Sequence, residues 1–498
     1  MVMETLQIRL TRGLIEEISK LVDKGIYGSS SEAVRDAVRR LVLGKEEKIV
    51  VPEAKATQEK IEKEIKKQLQ GARGTRDILP ENQIIKERII SVLKETFELF
   101  GYSPLETPVI ERFDVLSSKY AGGDEILKET FRLKDQGGRD LGLRYDLTVP
   151  LARVVGMNPQ LKMPFKRYQI GEVFRDGPVS LGRYRQFIQC DADIIGCKDM
   201  TADAECINIV SSAFKRLGFN IEIRINNRKV LNSILEKAGI KESKRDSTIL
   251  SIDKLEKFGQ DAVVKELKDN GIPDTKIDDI LGIITIQGKN QEKLEKLKKL
   301  IAGNEGLKEV EELIEYLKIL DVDAVFDVSL ARGLSYYTGT IFETFIQNSR
   351  IKSAVCSGGR WDKMIGDFLG RGDYPAVGIS FGLERIFDAY IEKNPVRNKT
   401  VAQLFIIPIG TLEQSLKTAK MLREKGIKVD IDLTGRGPSK NLNYANSLGI
   451  PYVIFIGDNE LKQNKVKLKN METGQEGLVN AEDVPGVLNK KRLSRFLE

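Results

Sequence analysis

The sequence predicts an α+β chain of several domains, with an antiparallel sheet at its centre. Three stretches carry that expectation. Residues 174–196 (FRDGPVSLGRYRQFIQCDADIIG) read as a strand, a break at Gly177-Pro178, a polar tip at Ser180-Leu181-Gly182 and a returning strand, together a long antiparallel hairpin. Residues 228–320 shift to Lys, Glu, Leu and Ile at helical spacing, as an inserted helical block would. From Val401 onward short strands and helices alternate, which marks a small α/β domain. A chain of 498 residues is too long for one core.

At the N-terminus, Glu4 to Leu10 alternates, with Leu6, Ile8 and Leu10 on one face and Thr5, Gln7 and Arg9 on the other. Leu14, Ile15, Ile18, Leu21 and Val22 follow at helical spacing and stop at Gly25. Ser29-x-x-Glu32 is a capping box that opens a second helix with Ala33, Val34, Ala37, Val38, Leu41 and Val42 on one stripe. One strand and two helices cannot bury a core alone, so the unit is expected to dimerise through its strand. This pattern resembles the ribbon-helix-helix DNA-binding family, whose paired strands enter the major groove and here would present Thr5, Gln7 and Arg9. Residues 1–44 hold seven Lys or Arg against six Asp or Glu, so a pure dimerisation module stays open beside operator binding.

Residues 45–70 are charge-dense and read as a semi-rigid linker, helical from about Thr57 to Leu69. Glu81 to Phe100 is an amphipathic helix carrying Ile84, Ile85, Ile89, Leu93 and Phe97, and the strand after it contains Pro104 and Pro108, which belongs at an edge or a subunit contact. On the hairpin, alternation puts Phe187, Gln189, Asp191 and Asp193 on one face. An aromatic ring, an amide and two carboxylates make a binding floor rather than a core.

Net charge is +7 and pI about 8.9, compatible with a polyanionic partner without requiring one. The four cysteines are scattered and histidine is absent, so no structural zinc set and no protein metal site is expected, and the thiols are expected to be reduced. Lack of histidine also excludes every triad or proton shuttle built on imidazole. No apolar run approaches the roughly 18 residues of a membrane span, and no signal-peptide pattern opens the chain, so a cytoplasmic protein without membrane contact is expected.

Charge stabilisation of a phosphoryl group remains as the available chemistry. Arg175, Arg185, Arg332 and Arg385 lie beside glycines that let a ligand approach the backbone, and a guanidinium fork suits phosphate and carboxylate oxygens. From Gly71 onward the residues resemble the class II aminoacyl-tRNA synthetases, specifically the histidyl-tRNA synthetase family of archaeal and eukaryotic type. Glu81 to Glu111 is similar to motif 1, Phe174 to Asp193 to motif 2 and Ala376 to Ile386 to motif 3. ARGLSYYTGTIFE at 331–343 and SGGRWDKM at 357–364 resemble segments particular to the histidyl members. IPYVIFIGDNELKQNKVKLKNMETGQE resembles their anticodon-binding domain.

The resemblance implies a division into a ribbon-helix-helix unit (1–44), a linker (45–70), two parts of a catalytic core (71–227 and 321–395) around the helical insertion (228–320), and an anticodon-binding domain (400–498). It implies a homodimer that joins histidine to tRNA(His) with ATP and Mg2+. Arg175 and Arg332 would be catalytic at the α-phosphate and the substrate carboxylate. ATP would meet Arg175, Arg183, Arg185, Phe187 and Arg385, with Glu172 near the magnesium ion. Asp146, Thr148 and Gln189 would take the α-amino group and Asp193 with Tyr337 the imidazole, and Tyr336 would also bind the histidine. A carboxylate and a phenol suit the donor and acceptor of an imidazole.

Two departures from the family pattern bear on the site. Gly177 stands where bacterial members carry a motif 2 glutamate, so that contact must be absent or supplied elsewhere, and Trp361 replaces a usual tyrosine. A synthetase-like regulator without aminoacylation activity is the competing reading. Such paralogues generally lack the anticodon domain and the Arg-Gly-Leu-x-Tyr-Tyr run, both present in this sequence.

Overall fold

The computed structural model of the chain describes residues 10–43, 69–117, 127–180, 182–333, 336–370, 372–394 and 399–488. Two compact units result, residues 1–72 and 73–498. In the first, helices α1 (Arg12–Asp23) and α2 (Ser30–Leu43) are joined by a turn in which Gly25 has φ +71° and the Gly25 and Ile26 N–H groups donate to Val22 and Leu21. That is the left-handed helix end that a stop glycine provides. Leu14, Ile15 and Leu21 remain exposed on α1 while Ile18 and Val22 are half-buried, so its apolar stripe is only partly covered within the described part of this unit. The predicted strand, with Thr5, Gln7 and Arg9, lies outside the described residues, as does the linker through residue 68.

The second unit opens with α3 (Pro80–Leu99), the short strands β1 (Ser103–Pro104) and β2 (Ile110–Arg112), and one turn of helix, α4 (Phe113–Leu116). Strands β3 (Arg132–Lys134) and β4 (Asp140–Leu143) complete a three-stranded sheet in the order β2-β4-β3. Helix α5 (Thr148–Met157) leads into β5 (Phe165–Phe174) and β6 (Gln186–Ile195), and then come α6 (Met200–Arg216) and β7 (Ile221–Asn227). Six helices follow: α7 (Arg228–Lys237), α8 (Glu242–Ile252), α9 (Leu255–Asp269), α10 (Asp274–Ile284), α11 (Asn290–Leu300) and α12 (Glu305–Ile319). The chain returns through β8 (Val325–Phe326), β9 (Thr340–Ile346), β10 (Cys356–Arg360), α13 (Met364–Leu369), β11 (Ala376–Gly382) and α14 (Leu383–Lys393).

These strands form an eight-stranded sheet in the order β1-β5-β6-β11-β10-β9-β7-β8, antiparallel except where β1 meets β5 and β8 meets β7. Pro104 sits on the outermost strand, where its missing N–H costs no ladder bond. The organising hairpin is β5–β6, paired from Phe165↔Ile195 to Phe174↔Gln186. Its first strand therefore ends at Phe174, where the sequence reading began it. Alternation along β6 splits the sheet faces: Cys190, Ala192 and Ile194 enter the core with α3 and α6, beside Leu93, Phe97 and Phe214. The other face carries Phe187, Gln189, Asp191 and Asp193. A buried ion pair, Lys86 to Glu384 at 3.0 Å, ties α3 to α14, and the second Glu384 oxygen accepts the Ile188 N–H at 3.0 Å, which fixes both helices to β6.

After residue 399, β12 (Leu404–Ile409), α15 (Leu412–Glu424), β13 (Val429–Ile431), α16 (Pro438–Ser447), β14 (Tyr452–Gly457), α17 (Asp458–Lys462), β15 (Val466–Asn470) and β16 (Glu476–Val479) build a five-stranded sheet in the order β13-β12-β14-β15-β16. The first three strands run parallel and the last two antiparallel. No helix among the described residues is long and apolar enough to cross a membrane.

Candidate active site

A cleft of about 430 Å³ opens on the polar face of the large sheet. Its floor is set by the register Arg167↔Asp193↔Gly378 across β5, β6 and β11. A Cβ on Gly378 would lie 1.9 Å from Asp193 Oδ1, so only glycine leaves room for that carboxylate. Beneath it, the Arg167 guanidinium, wholly buried, sits 2.8 Å from Asp193 Oδ2. Burial raises the Asp193 pKa, while Arg167 and a hydrogen bond from Trp361 work against the rise. Trp361 is buried and lines the cleft, so its indole N–H supplies a donor where the sequence reading found a ring hydroxyl missing.

Two further floor groups lack partners. Gln189 donates to Ser380 Oγ at 2.7 Å but its Oε1 accepts nothing within the protein, and neither does Asp191 Oδ1. Asp191 is pushed up to about 7 by burial, with Arg167 opposing. Shielded acceptors that remain unpaired beside a cleft are places for a donor-bearing ligand. At one end, Asp146 Oδ1 accepts the Val149 N–H at 3.1 Å where α5 starts with Thr148. Burial pushes Asp146 up to about 6.

Cations occupy the walls. Arg175 Nε donates to the Tyr145 carbonyl at 3.0 Å, and its guanidinium lies 5.2 Å from the Phe187 ring centroid. Burial lowers the Arg175 pKa and Asp146 opposes that shift. Arg332 meets Glu343 at 2.5 Å, lies 5.7 Å from the Tyr337 ring centroid, and has an Nε without a partner. Burial works against the Arg332 charge, but Tyr337 and Glu343 outweigh it and raise the pKa. Tyr336 packs on Tyr337 with ring centroids 4.8 Å apart. Arg385, on α14, donates to the Ala354 carbonyl at 2.6 Å.

The motif 2 departure has a structural counterpart. Arg183 pairs with Glu129 at 2.9 Å, and a Cβ on Gly177 would lie 2.6 Å from Glu129 Oε1. Glu129 thus puts a carboxylate in the space that a side chain at position 177 would fill. Of the residues expected at the site, Asp146, Thr148, Arg175, Arg183, Phe187 and Gln189 line this cleft, and so do Asp193, Arg332, Tyr336, Tyr337 and Arg385.

Two expected residues are placed elsewhere. Glu172 pairs with Ile188 in the ladder, which puts it on the far side of the hairpin from Phe187 and Gln189, where it accepts from the Gln186 amide at 3.0 Å. Arg185 pairs with Asp176 at 2.9 Å and donates to the carbonyl of the cleft residue Gly177 at 3.3 Å, without lining the cleft itself. Asp191, expected on the binding floor, lines the cleft as well, whereas Glu129, Glu343, Asp253 and Lys257 were not expected there. Glu343 closes the ARGLSYYTGTIFE run and so had a signal; Asp253 and Lys257 come from the helical block and had none.

The chain is similar to known proteins over most of its length. The family model described as histidyl-tRNA synthetase matches residues 74–386, and the anticodon binding domain model matches residues 403–491. Histidine-tRNA ligase 1 of Bacillus cereus is 44% identical over 418 residues, covering 82% of this chain and 97% of that protein. Histidine-tRNA ligase 2 of Shouchella clausii is 41% identical over 413 residues, with the same 82% and 97% coverage. Among solved structures, histidyl-tRNA synthetase from Nostoc sp. PCC 7120 superposes with a TM-score of 0.75 at 30% identity, covering 85% of this chain and 99% of that one. These relatives are bacterial and give the archaeal and eukaryotic subtype no support; the matched segments also leave the ribbon-helix-helix reading of the N-terminal unit without support. With both models matched in chain order, the chain belongs to the histidyl-tRNA synthetase family.

Proposed function

We propose that this chain is an ATP-dependent histidine-tRNA ligase of class II. One observation carries the reading: a single cleft sets Asp146, Asp191 and Asp193 on its floor and Arg175, Arg183, Arg332 and Arg385 on its walls. Carboxylates suit the ammonium and imidazole of histidine, and guanidinium groups suit a triphosphate. A histidine carboxylate oxygen attacks the α-phosphorus of ATP, the α–β bridging P–O bond breaks, and pyrophosphate leaves. The 3′-terminal ribose hydroxyl of tRNA(His) then attacks the histidyl carbonyl and AMP departs. Positioning and fixed positive charge carry the first step, with no protein imidazole involved.

In this account Arg175 and Arg332 neutralise charge at the α-phosphate, Phe187 and Arg385 enclose the adenine, and Arg183 reaches the outer phosphates. Asp146, Thr148 and Gln189 hold the α-amino group, and Asp193 with Tyr337 reads the imidazole. A magnesium ion bound to the triphosphate would supply further positive charge at its oxygens. Of the cleft carboxylates, Glu129 and Glu343 offer the hard oxygen donors that such an ion takes. Residues 403–491 would bind the anticodon, which favours a ligase over a regulator. The enzyme is proposed to be a cytoplasmic homodimer, with α3 and the edge strand β1 at the subunit contact. Histidine-dependent exchange of labelled pyrophosphate into ATP tests the activity.

For the N-terminal unit we propose a second task, operator binding as a paired ribbon presenting Thr5, Gln7 and Arg9. The exposed part of the apolar stripe of α1 supports a partner copy, and a dimeric catalytic body would raise the effective concentration for that pairing. An electrophoretic shift with DNA upstream of its own gene, lost in the double variant Gln7→Ala, Arg9→Ala and weakened by salt, is expected. Binding that ignores salt contradicts a phosphate-dominated contact.

A further inference from the structure

Residues 73–78 (RGTRDI) begin the second unit, and no motif of the functional reading includes them. They nevertheless grip the cleft. Arg76 Nη1 donates to Tyr184 Oη at 2.8 Å, and its guanidinium lies 4.2 Å from the Tyr184 ring centroid and 5.7 Å from that of Phe387. The same guanidinium stands 3.9 Å from Asp388. Two residues earlier, the Gly74 carbonyl accepts the Arg185 N–H at 2.9 Å. Gly74 has φ +83°, and a Cβ there would lie 2.6 Å from Arg185 Cγ, so only glycine permits the approach.

The partners of Arg76 belong to both walls of the cleft. Tyr184 lies in the hairpin loop, beside Arg183 and three residues before Phe187, and itself lines the cleft. Phe387 and Asp388 are on α14, within one turn of Arg385. Arg76 is therefore a bridge between the loop that carries Arg183 and Phe187 and the helix that carries Arg385. A planar guanidinium is required: it stacks on two rings while donating to a hydroxyl and facing a carboxylate, which an ammonium cannot do at once. Asp388 is held partly buried, with burial raising its pKa and Arg76 opposing, and its Oδ2 has no hydrogen-bond partner, so Arg76 is its charge partner.

We propose that Arg76 is a positioning residue for the nucleotide. By joining the hairpin loop to α14 it sets the separation of the two walls between which ATP lies on the functional reading given above. Among the described residues Arg76 bonds or pairs with Tyr184 and Asp388 and not with the floor carboxylates Asp146, Asp191 and Asp193, so histidine binding is expected to stand apart from it.

Calorimetry on the full-length protein, titrating ATP and L-histidine separately, tests this in the wild type and in Arg76→Ala and Arg76→Lys. ATP affinity is expected to fall about tenfold in both variants, with histidine affinity unchanged within about twofold and circular dichroism melting curves showing folded protein. Tyr184→Phe, which keeps the ring, is expected to lose less than Arg76→Ala. An unchanged ATP affinity in either folded variant overturns the proposal, as does an equal loss for ATP and histidine. Should Arg76→Ala fail to fold, Arg76→Lys decides in the same two ways. Absence of histidine-dependent pyrophosphate exchange in the wild type would overturn the ligase reading while leaving the ATP and histidine titrations to judge the bridge.

Discussion

Glu343 holds Arg332 at 2.5 Å and leaves the guanidinium Nε without a partner. A cation fixed in this way before substrate arrives needs no reorganisation when charge develops on the α-phosphate. Arg332→Ala is expected to slow adenylate formation about 10²- to 10³-fold, the cost of removing one preorganised electrostatic group. Binding of tRNA should change by less than about threefold. Glu343→Gln keeps the shape but loses the charge partner and should cost less than Arg332→Ala. Single-turnover adenylation and filter binding separate the two effects.

Burial raises Asp191 to about 7 and Asp146 to about 6. Folded-state values above the unfolded ones mean that the folded protein holds these protons more tightly. The stability they contribute is present below the unfolded value and is lost as pH rises through about 6 and then about 7. Ligand-free protein is therefore expected to melt at a lower temperature at pH 8 than at pH 5. Histidine, whose ammonium favours the ionised carboxylates, should stabilise more at the higher pH and release protons on binding. Asp191→Asn should flatten the upper part of the profile. Scanning calorimetry across the range checks it, and a melting temperature that rises over the window contradicts it.

Asp193 is wedged between Arg167 and the bare backbone of Gly378. Gly378→Ala would drive a methyl into its carboxylate, with an expected destabilisation of about 1–3 kcal/mol and loss of histidine binding. Asp193→Asn should raise the KM for histidine at least tenfold, roughly the worth of one charge-assisted hydrogen bond, and leave the KM for ATP alone. Trp361→Phe keeps the ring and deletes the donor, so it should shift the histidine KM in the same sense by less. Steady-state exchange with each substrate varied in turn measures all three.

The floor is legible in the sequence because period-two alternation forces Phe187, Gln189, Asp191 and Asp193 to one face whatever the register. Register itself was not legible. Glu172 falls on the opposite face because Phe174 pairs with Gln186, a match set by the loop between them that no local pattern specifies. Arg185 pairs with a carboxylate nine residues earlier, Asp176, a partner that the turn at Gly177-Pro178 brings close and that no local pattern announces. Glu129, Asp253 and Lys257 come from segments far along the chain, and only the packed fold brings them to the cleft. In the N-terminal unit the capping and stop signals marked both helices, since Ser29, Glu32 and Gly25 act within a few residues of themselves.

The central claim is that this floor selects histidine for activation by ATP. Pyrophosphate exchange with the full panel of twenty amino acids, each offered alone at equal concentration, tests it most directly. Exchange with histidine, and at least a hundredfold less with every other amino acid, is the predicted result, given that a site built to hydrogen-bond a polar group rejects ligands lacking it. Equal exchange with another amino acid, or none with histidine, would contradict it.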